Sequence, residues 1–179
     1  FIAGMEDQFR VEVRSERAIE VYRDAAKKVP TAAITIEDAE RIHRLTKRGK
    51  EVVVTLKMDA ENRGECQSAN VVAEIRGAVN PEQIVIISGH IDSWDVGQGA
   101  QDDGGGAVMA MEALNLIRKM NLRPRRTIRC VLWTAEEIGL LGAKQYAEDH
   151  ADEFDRYIAA IEADFGSFRP TGFRVSCKD

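Results

Sequence analysis

The residues from Gly89 to Asp103 give the main indication of the fold. It reads GHIDSWDVGQGAQDD, and the apolar run IVII at positions 84–87 leads directly into it. A buried strand that ends at a histidine and several carboxylates is typical of open α/β sheets, where binding sites form at strand ends. We therefore place the functional site at the end of this strand.

Acidic residues also follow two further apolar runs. The run at 127–134 is typical of a strand buried on both faces, and Glu136 and Glu137 follow it. The run at 157–163 is followed at once by Asp164. The carboxylates should therefore meet the histidine along one rim of the sheet.

The segments between these strands have the spacing of helices. Apolar residues three and four positions apart predict a helix that begins at Gly104, and a second helix is predicted from Ile138 to about His150. This alternation of strands and helices predicts an α/β fold, in which helices flank the sheet.

The N-terminal third is less regular. Thr35 and Asp38 predict a helix start, and the helix should run to about Lys47. The β-rich run from Val52 to Met58 predicts a strand. A polar connection follows, and its change of composition divides the chain into segments 1–62 and 63–179.

The composition excludes several classes of protein. The 25 basic and 30 acidic residues give a net charge of −5, so we expect no nucleic-acid partner. The apolar runs are strand-sized, whereas a membrane span needs about 18 residues or more. Three cysteines without CxxC spacing predict no thiolate zinc site, and Cys130 should be a buried, inert thiol.

The histidine and the carboxylates suit a metal site. His90 and Asp92 lie two residues apart, so both side chains can face the site, and Asp92 can accept the second imidazole N–H and make His90 a better ligand. A histidine at a strand end also often pairs with a local carboxylate and does nothing more. Asp102 and Asp103 before three glycines could equally offset a helix dipole.

Glu136 and Glu137 change this balance. Adjacent glutamates are most often solvated, but these two lie between an apolar strand and an apolar helix start, where like charges repel without a cation. Two divalent ions bridged by a carboxylate at roughly 3.5–4 Å would supply that cation. Imidazole and oxygen ligands suit zinc, and the remaining carboxylate could act as a base toward a metal-activated water.

Four ordered motifs resemble a known family. They lie at 89–100, 102–106, 132–137 and 162–164, and they read GHIDSWDVGQGA, DDGGG, LWTAEE and EAD. They are similar to the co-catalytic di-zinc exopeptidases of the aminopeptidase Y type, in particular to the plasma glutamate carboxypeptidase branch. The resemblance implies two zinc ions, a partial zinc-exopeptidase sheet, and the end of a protease-associated domain before it.

The resemblance also implies roles for individual residues, which we give as expectations. The metal ligands would be His90, Asp102 as the bridge, Glu137 and Asp164. Glu136 would be the general base, Asp92 would orient His90, and Asp103 would be a supporting residue joined to Asp102 by a cis peptide.

One ligand of that family has no counterpart here. The family uses a fifth ligand, a histidine well downstream of Asp164, so we interpret the chain as a fragment whose isolated activity is in doubt. His43 and His150 are poor substitutes. The N-terminal segment 1–62 would hold an unassigned stretch and the end of the protease-associated domain, and 63–179 the first part of the catalytic domain.

The expected function is zinc-dependent hydrolysis of short peptides, most simply of dipeptides, by a metallo-exopeptidase. Two alternatives stay open: a single-zinc transferase similar to glutaminyl cyclase, and a catalytically incomplete binding module. The resemblance further implies a secreted or lysosomal location and a possible homodimer.

Overall fold

The computed structural model describes residues 32, 34–57, 64, 66–94, 97–164 and 166–177. The chain divides into two compact units, 1–66 and 67–179. In the described part of the chain, no helix is both long enough and apolar enough to cross a membrane.

In the first unit, helix α1 covers Ile36–Lys47. It begins where the sequence predicts, because the Thr35 hydroxyl caps it and accepts the backbone N–H of Asp38 at 3.2 Å. Ala39 is the buried residue of its apolar face, whereas Ile36 is exposed.

The predicted strand from Val52 to Met58 is wrong for the residues that are described. Positions 52–57 have no strand structure, and Met58 lies outside the described residues. Val53 and Val54 are 80% and 61% exposed. β-branched residues favour a strand only where they pack on a paired, half-buried sheet, and nothing described in this unit provides such a sheet.

The second unit is built on a four-stranded mixed sheet in the order β1-β3-β2-β4. The strands are β1 (Val71–Ile75), β2 (Asn80–His90), β3 (Arg126–Trp133) and β4 (Tyr157–Glu162). β2 is parallel to both β3 and β4, and β1 is antiparallel to β3. The carboxyl ends of β2, β3 and β4 therefore share one rim, as the sequence predicts.

Helices connect the parallel strands and confirm the α/β fold. Helix α2 (Gly104–Lys119) joins β2 to β3, and α3 (Leu141–Asp149) is followed by a 3₁₀ helix at Ala151–Arg156 before β4. α3 begins three residues later than predicted, because Gly139 and Leu140 adopt positive φ values of 125° and 59° that a right-handed helix excludes.

Both faces of β3 are covered. Val131 and Trp133 pack with Ile84, Ile86 and Tyr146 on one face. The second cluster, on the other face, contains Ala107, Ala110, Cys130 and Leu132. Alternate residues of a strand point to opposite faces, so this pattern confirms that β3 is buried on both sides. Cys130 is 3% exposed, as predicted, and burial raises the pKa of its thiol.

The start of α2 lies very close to the ends of β2 and β4. A Cβ on Gly89 would lie 2.6 Å from the backbone nitrogen of Ala107 and from the Asp103 carboxylate. A Cβ on Gly106 would overlap the backbone carbonyl of Ala163 and the Asp103 carboxylate. Glycine is required at both positions for the helix to approach the sheet.

We expect Gly106→Ala to destabilise the protein, because the new methyl group meets backbone that cannot move aside. The free energy of unfolding should fall by about 1–3 kcal/mol or more. Gly105→Ala is the matched control, since its methyl group faces the Ser167 hydroxyl, which can rotate away. Denaturant titration of both variants checks the prediction, and equal stability of the two would contradict it.

A partly buried arginine, Arg129, ties β1, α3 and the 3₁₀ helix to β3. Arg129 donates hydrogen bonds to Glu74 at 3.0 Å, to the Tyr146 hydroxyl at 2.6 Å and to Glu153 at 3.3 Å. Burial acts to raise the pKa of Glu153, but hydrogen bonds from Tyr157 and Arg129 outweigh it and hold this pKa below its usual range. Glu153 thus contributes stability in its charged form.

Glu153→Gln should therefore lower stability in a pH-dependent way. Because folding lowers the pKa of Glu153, its charged carboxylate stabilises the fold fully above the unfolded-state pKa of about 4.3. This stabilisation is lost as the pH falls through the lower pKa of the folded state. At pH 7 we expect a loss of about 1 kcal/mol that shrinks below pH about 4. Urea unfolding at several pH values measures it, with Glu148→Gln on the exposed face of α3 as the control.

Candidate metal centre

The imidazole of His90 is the centre of the site. His90 is the last residue of β2 and is 1% exposed. Its Nε2 atom lies 3.0 Å from Asp102 Oδ1 and 3.2 Å from Asp164 Oδ1, and Glu136 Oε2 is 3.9 Å away. Residues from the ends of β2, β3 and β4 thus meet at one ring nitrogen.

Asp92 holds two parts of the site together. The other ring nitrogen, His90 Nδ1, is 2.9 Å from the backbone carbonyl of Asp92 and 3.4 Å from its carboxylate. The carboxylate accepts the backbone N–H groups of Glu136 at 2.9 Å and Glu137 at 3.1 Å. The carbonyl thus makes the closer contact with His90, while the carboxylate fixes the turn that carries the two glutamates.

Asp103 is fully buried and uses both carboxylate oxygens within the protein. Its peptide bond with Asp102 is cis, as the resemblance implies. One oxygen accepts the His90 N–H at 2.8 Å, and the other accepts the Gly106 N–H at 2.9 Å and caps α2. Burial raises the pKa of Asp103 even though these hydrogen bonds act to lower it. This geometry fits support of the site better than metal ligation.

Glu136 and Glu137 lie in the turn after β3, and their environment disfavours negative charge. Burial, with the added charge of Asp102, raises the pKa of Glu137 to about 7. Its Oε1 atom is buried and has no hydrogen-bond partner among the described residues. Burial also raises the pKa of Glu136, and Asp164 raises it further.

The carboxylates around His90 favour a positive charge at the centre of the site. Burial alone would lower the pKa of His90, but Asp164 and Glu136 outweigh it and raise this pKa to about 9. The carboxylates thus stabilise a positive charge at their centre while they repel one another. A buried carboxylate oxygen without a partner, in the midst of further acidic groups, fits a bound cation.

The predicted ligands lie close enough together to share a metal ion. Two groups of three residues each place their ligand atoms within 4.8 Å of one another, and both groups include His90. The first group is His90, Asp102 and Glu137, and the second is His90, Asp103 and Asp164. One imidazole with several carboxylates is a donor set that suits zinc. The structure thus brings together every site residue that the sequence predicts.

The second unit contains one other histidine, His150, and it does not join this cluster. His43 belongs to the first unit. The Nδ1 atom of His150 lies 2.9 Å from the backbone carbonyl of Tyr146, and the two rings stack with centroids 4.0 Å apart. His150 therefore packs on α3.

Sequence reasoning missed Glu162. It lies two residues before Asp164 at the end of β4, and burial together with Asp164 raises its pKa. It therefore adds one more acidic group to the rim, and its charged form is disfavoured by burial and by the neighbouring carboxylates. The signal was available, because residues two apart on a strand point to the same side.

Comparison with known proteins agrees with this geometry. The sequence profile of peptidase family M28 matches residues 70–176, which include every residue of the site. The chain belongs to peptidase family M28. The four motifs that carry the predicted family resemblance lie within the matched segment, and the predicted membership of this exopeptidase family is confirmed.

Named members of the family are similar over most of the chain. Mouse carboxypeptidase Q is 51% identical over 161 residues, or 90% of this chain. Human carboxypeptidase Q is 52% identical over 158 residues, or 88% of this chain. The chain spans 34% of the length of each. The crystal structure of a peptidase M28 precursor from Shewanella amazonensis superimposes with a TM-score of 0.73 at 46% identity, over 81% of this chain and 33% of that one.

We expect zinc to stabilise the protein against heat, because zinc bound at the folded site would neutralise the converging carboxylates. At a free zinc concentration about 100 times the dissociation constant, the gain should be about 2.7 kcal/mol. Glu137→Gln should remove most of that gain. In the metal-free protein the same change should leave stability equal or higher, because it removes one of several repelling charges.

Thermal unfolding with and without zinc measures both effects. Glu148→Gln is the control, and it should respond to zinc as the parent does. A zinc-induced gain that survives in Glu137→Gln would contradict the assignment of this residue.

Proposed function

We propose that the whole protein is a zinc-dependent exopeptidase that hydrolyses short peptides, most simply dipeptides. The observation that carries the proposal is the position of His90 Nε2, 3.0 Å from the Asp102 carboxylate and 3.2 Å from the Asp164 carboxylate. Glu137 forms a ligand group with His90 and Asp102. Membership of peptidase family M28 and the similarity to carboxypeptidase Q support it.

Four residues would hold two zinc ions. His90 and Asp164 would bind the first ion, Glu137 the second, and Asp102 would bridge them. Asp102 suits the bridging role because its carboxylate lies 3.0 Å from His90 Nε2, belongs to the same ligand group as Glu137 and is half exposed. When bound, zinc would polarise the scissile carbonyl and lower the pKa of water at the site.

Glu136 would act as the general base. Its carboxylate faces the ligand group, is 22% exposed and has a pKa that burial raises toward the range useful for proton transfer. It would accept a proton from the attacking water and pass it to the leaving amine. The Asp92 carboxylate would keep Glu136 in place through the hydrogen bond from its backbone N–H.

Three expectations belong to the whole protein and rest on resemblance. The segment 1–62 would end a protease-associated domain, the enzyme would be secreted or lysosomal, and it could form a homodimer. The described residues would contribute the rim of the sheet with its proposed ligands and base.

The roles of the two glutamates can be separated by substitution. Glu136→Gln should lower kcat for a dipeptide by about 10²–10⁴-fold, because it removes proton transfer and leaves the ligands in place. Its zinc affinity should stay close to that of the parent protein. Glu137→Gln should instead lose zinc, and part of its activity should return at higher zinc concentration.

Kinetics with a dipeptide, with and without a chelator, measure these effects alongside zinc content per chain. Two zinc ions per chain favour the peptidase, and one favours the alternative cyclase-like transferase. Cleavage that resists the chelator would contradict the metal mechanism.

A further inference from the structure

The turn that carries Glu136 and Glu137 is held in an unusual backbone conformation. Between the end of β3 and the start of α3, Ala135, Gly139 and Leu140 have positive φ values of 53°, 125° and 59°. Two of these residues have side chains, for which such values are uncommon. Local preferences therefore do not maintain the turn, and contacts from outside it must do so.

One side chain closes the base of this turn. The Asn70 Oδ1 atom accepts the backbone N–H of Thr134 at 3.0 Å, and its Nδ2 atom donates to the carbonyl of Gly142 at 2.8 Å. Thr134 and Gly142 are also joined by a backbone hydrogen bond of 3.0 Å. Asn70 thus holds the point where the chain leaves β3 and the point where it enters α3.

There is no room for a side chain at position 142 beside this contact. A Cβ on Gly142 would overlap the Asn70 amide and the backbone of Thr134. An amide both donates and accepts, so asparagine satisfies both ends of the turn. Aspartate could only accept, and leucine, with a similar volume, could do neither.

The tip of the same turn is held from the opposite end, by the Asp92 carboxylate on the N–H groups of Glu136 and Glu137. The turn is therefore fixed at its tip by a residue of the site and at its base by a residue that comes directly before β1. Asn70 contacts neither His90 nor a carboxylate of the cluster through any described hydrogen bond.

We propose that Asn70 is a positioning residue, which fixes the turn 134–142 so that Glu136 and Glu137 face His90. This inference rests on the proposed function for its effect on catalysis. Its effect on the turn itself does not depend on that function. The loss of a comparable supporting contact costs metal sites about 10–100-fold in affinity or activity.

The test compares Asn70→Leu and Asn70→Asp with the parent protein. Asn115→Leu is the matched control, because the Asn115 amide donates to Glu112 within α2 at 2.7 Å, away from the turn. Hydrogen exchange of the backbone amides at 136–142 reports on the turn without metal or substrate. We expect these amides to exchange about tenfold faster or more in both Asn70 variants, with the central amides of β2 and β3 unchanged.

Two readouts then connect the turn to the site. The affinity for Co²⁺, which replaces zinc here because its bound form can be followed by absorption, should fall about 10–100-fold. For a dipeptide, kcat should fall in both variants while KM changes little. Asn70→Asp should lose less than Asn70→Leu, because it keeps the acceptor for the Thr134 N–H.

The outcomes separate this inference from the proposed function. Faster exchange at 136–142 in the Asn70 variants, with no cobalt binding by the parent protein itself, would support the role of Asn70 in the turn and overturn the metal site. Unchanged exchange with unchanged cobalt affinity would overturn the inference. Faster exchange spread evenly over the sheet would also overturn it, because Asn70 would then act on stability alone.

Discussion

The structure depends on one electrostatic constraint, the convergence of several carboxylates on the buried imidazole of His90. Asp102 and Asp164 lie within 3.2 Å of its Nε2 atom, and Glu136 lies within 3.9 Å. Such an arrangement is unfavourable unless positive charge lies among the acidic groups, and burial makes the requirement stronger. The pKa of Glu137 is raised to about 7, which shows that a further negative charge is disfavoured. The pKa of His90 is raised to about 9, which shows that a positive charge is favoured.

The fold satisfies this constraint through the parallel arrangement of β2, β3 and β4. Their carboxyl ends share a rim, so residues distant in sequence become neighbours without a long loop. Asp103 shows how closely the site and the fold are joined. The same carboxylate caps α2, accepts the N–H of His90 and lies where a side chain at Gly89 would have to be.

The sequence predicted the sheet, and it predicted which acidic residues the structure brings close to His90, because both follow from local patterns. Apolar runs that end in His90, Glu136 or Asp164 are visible in one dimension, and parallel strands make their ends coincide. The start of α3 was missed because it depends on the positive φ of Leu140, which the residue type does not reveal. The strand expected at Val52 did not form among described residues, because pairing decides strand formation and propensity alone does not. The division of labour in Asp92, between its carbonyl and its carboxylate, is likewise a tertiary property that only the packed structure shows.

Anomalous X-ray diffraction at the zinc absorption edge, from crystals of the zinc-loaded protein, would locate the metal ions. We expect two anomalous peaks about 3.5–4 Å apart, with the Asp102 carboxylate between them and His90 bound to one. The absence of any peak beside His90, or a single peak held by residues elsewhere in the protein, would contradict this expectation.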